Sequence, residues 1–161
     1  MARGRPILVA AAAAIGVAIA GGAMTDIGPW YRSLEKSALT PPDWAFGPAW
    51  TGIYALTAIA AVLGWRAAKS ARARAFILSL FFINAVLNVA WSFFFFTLRR
   101  PDFALAEVAT LWLSVLALIV LLRPMRRLAA LCLVPYLAWV SFAAYLNFKV
   151  VALNPPFGAA S

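Results

Sequence analysis

Five apolar stretches, each about as long as a membrane-crossing helix, dominate this chain of 161 residues. A helix needs about 20 residues to cross a hydrocarbon core of about 30 Å. Hydrophobic residues make up 65% of the chain and charged residues 12%, more apolar surface than a soluble domain of this size can bury. We therefore predict an all-α fold: one integral membrane domain over residues 1–161, a bundle of five transmembrane helices at approximately 7–24, 45–65, 76–98, 103–122 and 128–151.

The basic residues are divided unequally between the two ends of this predicted bundle. One end carries five cations against four acidic residues, whereas the other carries nine cations: Arg3, Arg5, Arg66, Lys69, Arg72, Arg74, Arg123, Arg126 and Arg127. The positive-inside rule then predicts a cytoplasmic N-terminus and an external C-terminus. We interpret the net charge of +9 as a topology signal, not as a nucleic-acid surface. Composition and the short N-terminus favour a multi-pass protein of a bacterial membrane.

The first apolar stretch has two interpretations. Arg3 and Arg5, the apolar run and the small residues Gly21 and Ala23 resemble a secretory signal with its cleavage site. The run is long for the apolar region of a signal, and its small residues recur at helical spacing, which lets another helix approach closely. This second property favours a retained transmembrane helix.

Several kinds of chemistry are excluded by residue types. Histidine is absent and Cys132 is the only cysteine, which excludes a Ser-His-Asp triad, a histidine-ligated metal, a disulfide and a thiolate cluster. We expect neither a metal site nor a cofactor. Glu107 lies about one turn into the fourth stretch, where we expect its carboxylate to reach water or to pair with Arg99 or Arg100.

Two apolar stretches contain polar and aromatic residues on one helical face. Asn84, Asn88 and Ser92 are spaced four residues apart, and Trp91 lies beside them. In the fifth stretch one face holds Tyr136, Trp139, Ala143 and Leu146. The small Ala143 between large aromatic residues leaves room for a flat ring. Contacts between helices or ordinary core packing are the alternative interpretation of each position.

The connection over residues 25–44 is the one long segment between the stretches. Trp30, Tyr31 and Leu34 form an apolar turn among charged neighbours, which predicts a short amphipathic helix. Pro41 and Pro42 then hold the chain extended. We predict a stiff, partly helical lid over one end of the bundle.

Three blocks of residues, in order, resemble the translocator protein family, also called the TspO/MBR family, tryptophan-rich sensory proteins or the peripheral-type benzodiazepine receptor. The family pattern WYxxLxKPxWxPPxWxFGPxW, with a tyrosine four residues later, is matched by Trp30, Tyr31, Leu34, Lys36, Pro41, Pro42, Trp44, Phe46, Gly47, Pro48, Trp50 and Tyr54. The pattern NxxWSxxFF is matched by Asn88, Trp91, Ser92, Phe95 and Phe96. The pattern PYLAWxxFAxxLN is matched by Pro135, Tyr136, Leu137, Ala138, Trp139, Phe142, Ala143, Leu146 and Asn147.

The chain also departs from the family pattern. Ser37 and Leu39 stand where the family usually has proline and tryptophan, so the lid lacks one aromatic residue. The sterol-recognition pattern of animal members has tyrosine and arginine where this chain has Phe148 and Ala152. A shifted match through Val140, Tyr145 and Lys149 satisfies only the loose form of that pattern.

The resemblance implies a five-helix bundle, often a homodimer, with a cavity under the first loop. In the family, that cavity accepts porphyrins such as protoporphyrin IX, related tetrapyrroles, isoquinoline carboxamides and, in animals, sterols. For this chain, a sterol or lipid is a further expected partner. Carried onto this sequence, the ligand contacts are Tyr31, Trp50, Asn88, Trp91, Trp139, Ala143 and Leu146. The lid is formed by Trp30, Arg32, Lys36, Pro41, Pro42 and Trp44, and its cations are placed to meet porphyrin propionates.

Three functions follow from the resemblance and the aromatic residues. The leading hypothesis is a membrane receptor or sensor for tetrapyrroles. The second is an enzyme that degrades porphyrin in light and oxygen through a tryptophan radical at Trp50 or Trp139. The third is passive translocation of porphyrin or lipid.

Overall fold

The computed structural model describes residues 4–157, and all of its regular structure in that range is helical. The α-helices are α1 Arg5–Met24, α2 Pro29–Ser33, α3 Asp43–Ala67, α4 Ala71–Ser92, α5 Pro101–Met125 and α6 Arg127–Leu153. A π-helical turn, Phe93–Thr97, continues α4. All except the short α2 are long and apolar enough to cross a membrane. The predicted all-α membrane bundle, with a partly helical first connection, is confirmed.

The helices extend past the predicted apolar stretches at nearly every end. Helix α4 begins at Ala71, five residues before the predicted boundary at Phe76, with Ser70 accepting a hydrogen bond from the Ala73 amide as its N-cap. Hydropathy marks where the hydrocarbon ends, whereas helical hydrogen bonding continues through the charged flank. The prediction also missed that regular α-helix ends at Ser92 and is followed by the π-helical turn.

The five long helices form a ring in the order α1, α3, α6, α5, α4, with the most extensive packing between α5 and α6. The main core fills the end of the bundle where α5 ends and α6 begins. Val115, Leu118, Leu122 and Leu133 are all fully buried there. The cations predicted to share one end lie in the helix ends and connections at this end of the bundle, except Arg3, which lies outside the described residues. Their cytoplasmic placement stays a prediction.

Glu107 corrects one expectation. Both of its carboxylate oxygens are buried and have no hydrogen-bond partner within residues 4–157, so the expected contact with water, Arg99 or Arg100 is wrong. Arg100 instead pairs with Asp102. The reason is the position of each acidic residue in α5. Asp102 is in the first turn, next to Arg100, whereas Glu107 lies about 9 Å along the helix axis from Pro101, where α5 begins.

Gly64 allows α3 to approach α5 in the core. A Cβ atom at this position would lie 2.7 Å from Cδ2 of Leu122 and 3.7 Å from Cγ2 of Ile77, and both side chains are buried. We expect Gly64→Leu to lower the free energy of unfolding by about 1–3 kcal/mol because the added side chain overpacks this contact.

Unfolding in detergent, followed by circular dichroism, measures that change. Gly52→Leu is the matched control, since a Cβ there meets no atom within 4 Å and the gain in helix propensity is the same. Equal stability of the two variants would contradict the close packing of α3 against α5.

Candidate functional site

A cavity of about 480 Å³ occupies the lid end of the bundle, which the main core leaves unfilled. Its walls come from α1, α3, α4 with its π-helical turn, and α6, and its outer edge comes from the connection between α1 and α3. The position follows from side-chain size. Helix α1 and its C-cap contribute only small residues to the cavity, namely Ala18, Gly21, Gly22 and the C-cap Thr25.

Aromatic rings form the walls on the α3 and α6 sides. The Trp50 ring stacks on Tyr54 at 5.3 Å between centroids and meets the Trp139 ring edge-on at 6.3 Å. These are the offset and edge-to-face arrangements that aromatic quadrupoles favour. Ala143, one turn after Trp139, also lines the cavity, so its methyl group leaves space in front of the rings.

Two buried asparagines join the helices beneath these rings. The Tyr54 hydroxyl donates to Oδ1 of Asn88 at 2.8 Å, and Nδ2 of Asn88 donates to the Tyr136 hydroxyl at 3.0 Å. Nε1 of Trp91 donates to Oδ1 of Asn147 at 3.1 Å, and Nδ2 of Asn147 donates to the carbonyl of Pro101 at 2.8 Å. Unpaired amides would be costly in hydrocarbon, so these bonds fix the side chains in place.

The lid is built on the short helix α2. Gly28 donates its amide to Asp26, and Pro29 begins the helix with a preset φ. This turn buries Tyr31 and Leu34, and the Tyr31 ring lies 5.6 Å from that of Phe96 in the π-helical turn. Burial, assisted by the Asp43 carboxylate, raises the pKa of the Tyr31 phenol above its ordinary value, so the phenol is neutral at physiological pH.

A reciprocal pair of hydrogen bonds fastens the lid to the end of α6. The Glu35 amide donates to Oδ1 of Asn154 at 2.8 Å, and Nδ2 of Asn154 donates to the Glu35 carbonyl at 2.9 Å. The same Nδ2 also reaches the carbonyl of Val150 at 2.8 Å, which holds the asparagine against its own helix. We call this arrangement the Asn154 clasp.

Two charged residues border the cavity at the lid. Nζ of Lys36 donates to the Leu34 carbonyl at 3.1 Å and lies 4.4 Å from the centre of the Tyr31 ring. Asp43, at the start of α3, lines the same edge. Within residues 4–157, no group of three His, Cys, Asp or Glu side chains is placed to hold a metal ion.

The structure brings the predicted contact residues together around this one cavity. All seven line it: Tyr31, Trp50, Asn88, Trp91, Trp139, Ala143 and Leu146. Asn84 does not line it, because its amide donates to Ser114 on α5 at 2.8 Å, as the helix-contact interpretation expected.

Of the six predicted lid residues, only Lys36 faces the cavity. Trp30 packs on Phe95 instead, at 6.1 Å between ring centroids, and Trp44 is 76% exposed. Pro42 is extended, as predicted, with φ −61° and ψ 147°. Arg32 is exposed and Pro41 half-buried.

Other cavity residues were missing from the predicted set. Tyr54 lies one turn after Trp50, and Ser92 lies one turn after Asn88, so helical spacing alone indicated both. The contribution of α1 was harder to foresee because small residues in an apolar helix carry no distinctive chemistry.

These features define the class of protein: a multi-pass helical membrane protein with an aromatic cavity at one end under a structured loop. Residues 8–153 match the TspO/MBR family. The chain therefore belongs to the TspO/MBR family, and the predicted resemblance is confirmed.

Named relatives occur in bacteria and animals. The chain is 39% identical to the Tryptophan-rich protein TspO of Chlorobaculum tepidum over 78% of this chain and 80% of that protein. It is 34% identical to the Tryptophan-rich sensory protein of Cereibacter sphaeroides over 88% of this chain and 87% of that protein. It is 33% identical to the human Translocator protein over 75% of this chain and 72% of that protein.

The Asn154 clasp generates a prediction about the lid. Asn154→Ala removes both bonds to Glu35, each contributing about 0.5–1.5 kcal/mol, so we expect lid opening to become about tenfold more frequent. Trypsin cleavage after Arg32 and Lys36 then accelerates by a similar factor. Ser37→Ala is the control, because the Ser37 hydroxyl bonds only within the loop, to the Leu39 amide. Equal cleavage rates of the two variants would contradict the clasp.

Proposed function

We propose that the protein is a membrane receptor or sensor that binds porphyrins and related tetrapyrroles in the aromatic cavity. The observation that carries this proposal is the arrangement of Trp50 and Trp139 with Ala143 beside them. Indole rings offer flat apolar surfaces, and the small Ala143 leaves the space that a flat guest needs.

The size and polarity of the cavity support a ligand of this kind. Its volume, about 480 Å³, falls within the range of roughly 300–1,000 Å³ typical of small-molecule sites. Most of its wall is apolar, with a few polar groups such as Asn88 to orient the guest. Lys36 places a positive charge at the outer edge, where it suits the propionate carboxylates of a porphyrin.

The names of the relatives agree with the general class of function in this proposal. One is called a sensory protein and another a translocator protein, and both are members of a membrane family. A membrane sensor or translocator is therefore the supported class of function. The tetrapyrrole ligand is the step that we add from the chemistry of the cavity.

Titration with protoporphyrin IX tests the proposal, with the Soret absorbance of the porphyrin as the readout. We expect saturable binding at one site per chain. Replacing both cavity tryptophans, in Trp50→Phe with Trp139→Phe, raises the Kd about tenfold because part of the stacking surface is lost.

The control for that titration is Trp65→Phe with Trp112→Phe. Neither residue lines the cavity, and Trp112 instead donates its indole N–H to Ser141 at 2.8 Å. The control retains the Kd of the unmodified protein. Equal Kd values for both double variants would contradict the proposed site.

A second candidate function is light-driven degradation of the bound porphyrin. The edge-on contact of Trp50 and Trp139 at 6.3 Å favours it, since the radical cation left when an excited porphyrin takes an electron from one indole can be shared with the neighbouring ring. The porphyrin passes that electron to oxygen, which becomes superoxide. The indole radical cation then recovers an electron from the porphyrin, and the porphyrin radical cation combines with superoxide, so porphyrin is oxidised, oxygen is reduced and the indole is restored. This chemistry needs light and oxygen but no acid, base or metal.

Illumination under oxygen tests that function. We expect a discrete porphyrin product that forms over several turnovers and is absent with Trp50→Phe and Trp139→Phe together. Free tryptophan at the same concentration is the control for sensitised bleaching. If it produces the same product at the same rate, the protein is not an enzyme for this reaction.

A further inference from the structure

The cavity residues differ sharply in exposure from one side of the ring to the other. Those on α4, the π-helical turn and α6 are buried or half-buried, among them Asn88, Ser92 and Asn147. Those on α1 and α3 include several that line the cavity and are exposed at the same time: Ala18, Gly22, Gly47 and Thr51. We interpret this contrast as a gap in the cavity wall between the lid-side ends of α1 and α3.

Small side chains keep this gap open. A Cβ atom added at Gly22 or at Gly47 would meet no atom within 4 Å. At the neighbouring Gly21, by contrast, a Cβ would lie 3.8 Å from the Tyr54 hydroxyl and 3.9 Å from Oγ of Ser92. Gly21 thus faces the closed inner wall, whereas Gly22 and Gly47 border open space.

The depth of the gap indicates what surrounds it. Gly47 and Thr51 lie about 6 and 12 Å along the helix axis from Asp43, where α3 begins. We expect both positions to face the membrane, because they lie within a helix that is long and apolar enough to cross it. Thr51 donates its hydroxyl to the Gly47 carbonyl at 2.9 Å, so its polar group is satisfied within the helix.

The ends of the lid join α1 to α3, but its middle is fastened on the other side of the cavity. Tyr31 and Leu34 pack against the π-helical turn of α4, and the Asn154 clasp fixes Glu35 to the end of α6. The middle of the lid is therefore anchored on the α4 and α6 side of the cavity, whereas the exposed cavity residues lie on α1 and α3.

We propose that ligands enter and leave the cavity sideways from the bilayer, through the gap between α1 and α3, while the lid stays in place. The partner that fits the gap is a flat, apolar molecule dissolved in the leaflet next to the lid. The flat ring of the ligand passes between Gly22 and Gly47. Any charged substituent passes along the lid edge of the cavity, where Lys36 and Asp43 lie. This inference rests on the proposed binding of tetrapyrroles.

Rates of protoporphyrin IX binding to protein in phosphatidylcholine liposomes test the route, measured by stopped-flow quenching of tryptophan fluorescence. We expect Gly47→Leu to slow association and dissociation together, each by about tenfold, because a blocked route delays both directions. Damage to the binding surface would instead speed dissociation. Gly22→Leu, on the opposite side of the gap, gives the same result if Gly47→Leu does not fold.

Two further variants complete the test. Gly16→Leu is the matched control, an exposed glycine of α1 that is outside the cavity and whose Cβ also meets no atom within 4 Å, and it leaves both rates unchanged. Asn154→Ala, which loosens the lid, also leaves both rates unchanged.

Faster exchange in Asn154→Ala, with normal rates in Gly47→Leu, would overturn this route and assign entry to the lid. Faster dissociation in Gly47→Leu would also overturn it, because Gly47 would then belong to the binding surface. Absence of saturable binding to the unmodified protein would overturn the proposed function itself, and the route with it.

Discussion

The requirement that buried polar groups find partners inside the protein shapes this bundle more than any other constraint. In hydrocarbon an unpaired amide cannot form hydrogen bonds with water. Each asparagine within a span must therefore lie next to a hydrogen-bond partner in the protein. Asn88 of α4 meets that requirement by hydrogen bonding to Tyr54 of α3 and to Tyr136 of α6. Asn147 does the same between Trp91 of α4 and the start of α5.

These bonds determine where the aromatic rings stand. Trp50 stacks on Tyr54, whose hydroxyl is held by Asn88, and the Trp139 edge then meets Trp50. Large aliphatic residues fill the other end of the bundle, where α3 packs closely against α5 at Gly64. The bundle thus combines a dense core at its arginine-rich end with a cavity at its lid end, and the polar bonds lie at the boundary between them.

Much of this arrangement could be predicted from the sequence because its signals are local. Apolar length gave the five spans, and helical spacing placed Asn84, Asn88 and Ser92 on one face. The seven predicted contact residues line one cavity, although their contact with a ligand stays a prediction. Features that depend on three-dimensional competition could not be predicted in the same way. Asp102 pairs with Arg100, and Glu107 has no hydrogen-bond partner in the part of the chain that the structure describes. The clasp joins Asn154 to Glu35, 119 positions apart.

The central claim, that the aromatic cavity holds a flat tetrapyrrole, is tested most directly by an experimental structure of the protein with protoporphyrin IX. We expect the macrocycle in the cavity, against Trp50 and Trp139 with Ala143 beneath it, and a propionate directed toward Lys36. A porphyrin bound only on the lipid-facing surface, with the cavity empty, would contradict it.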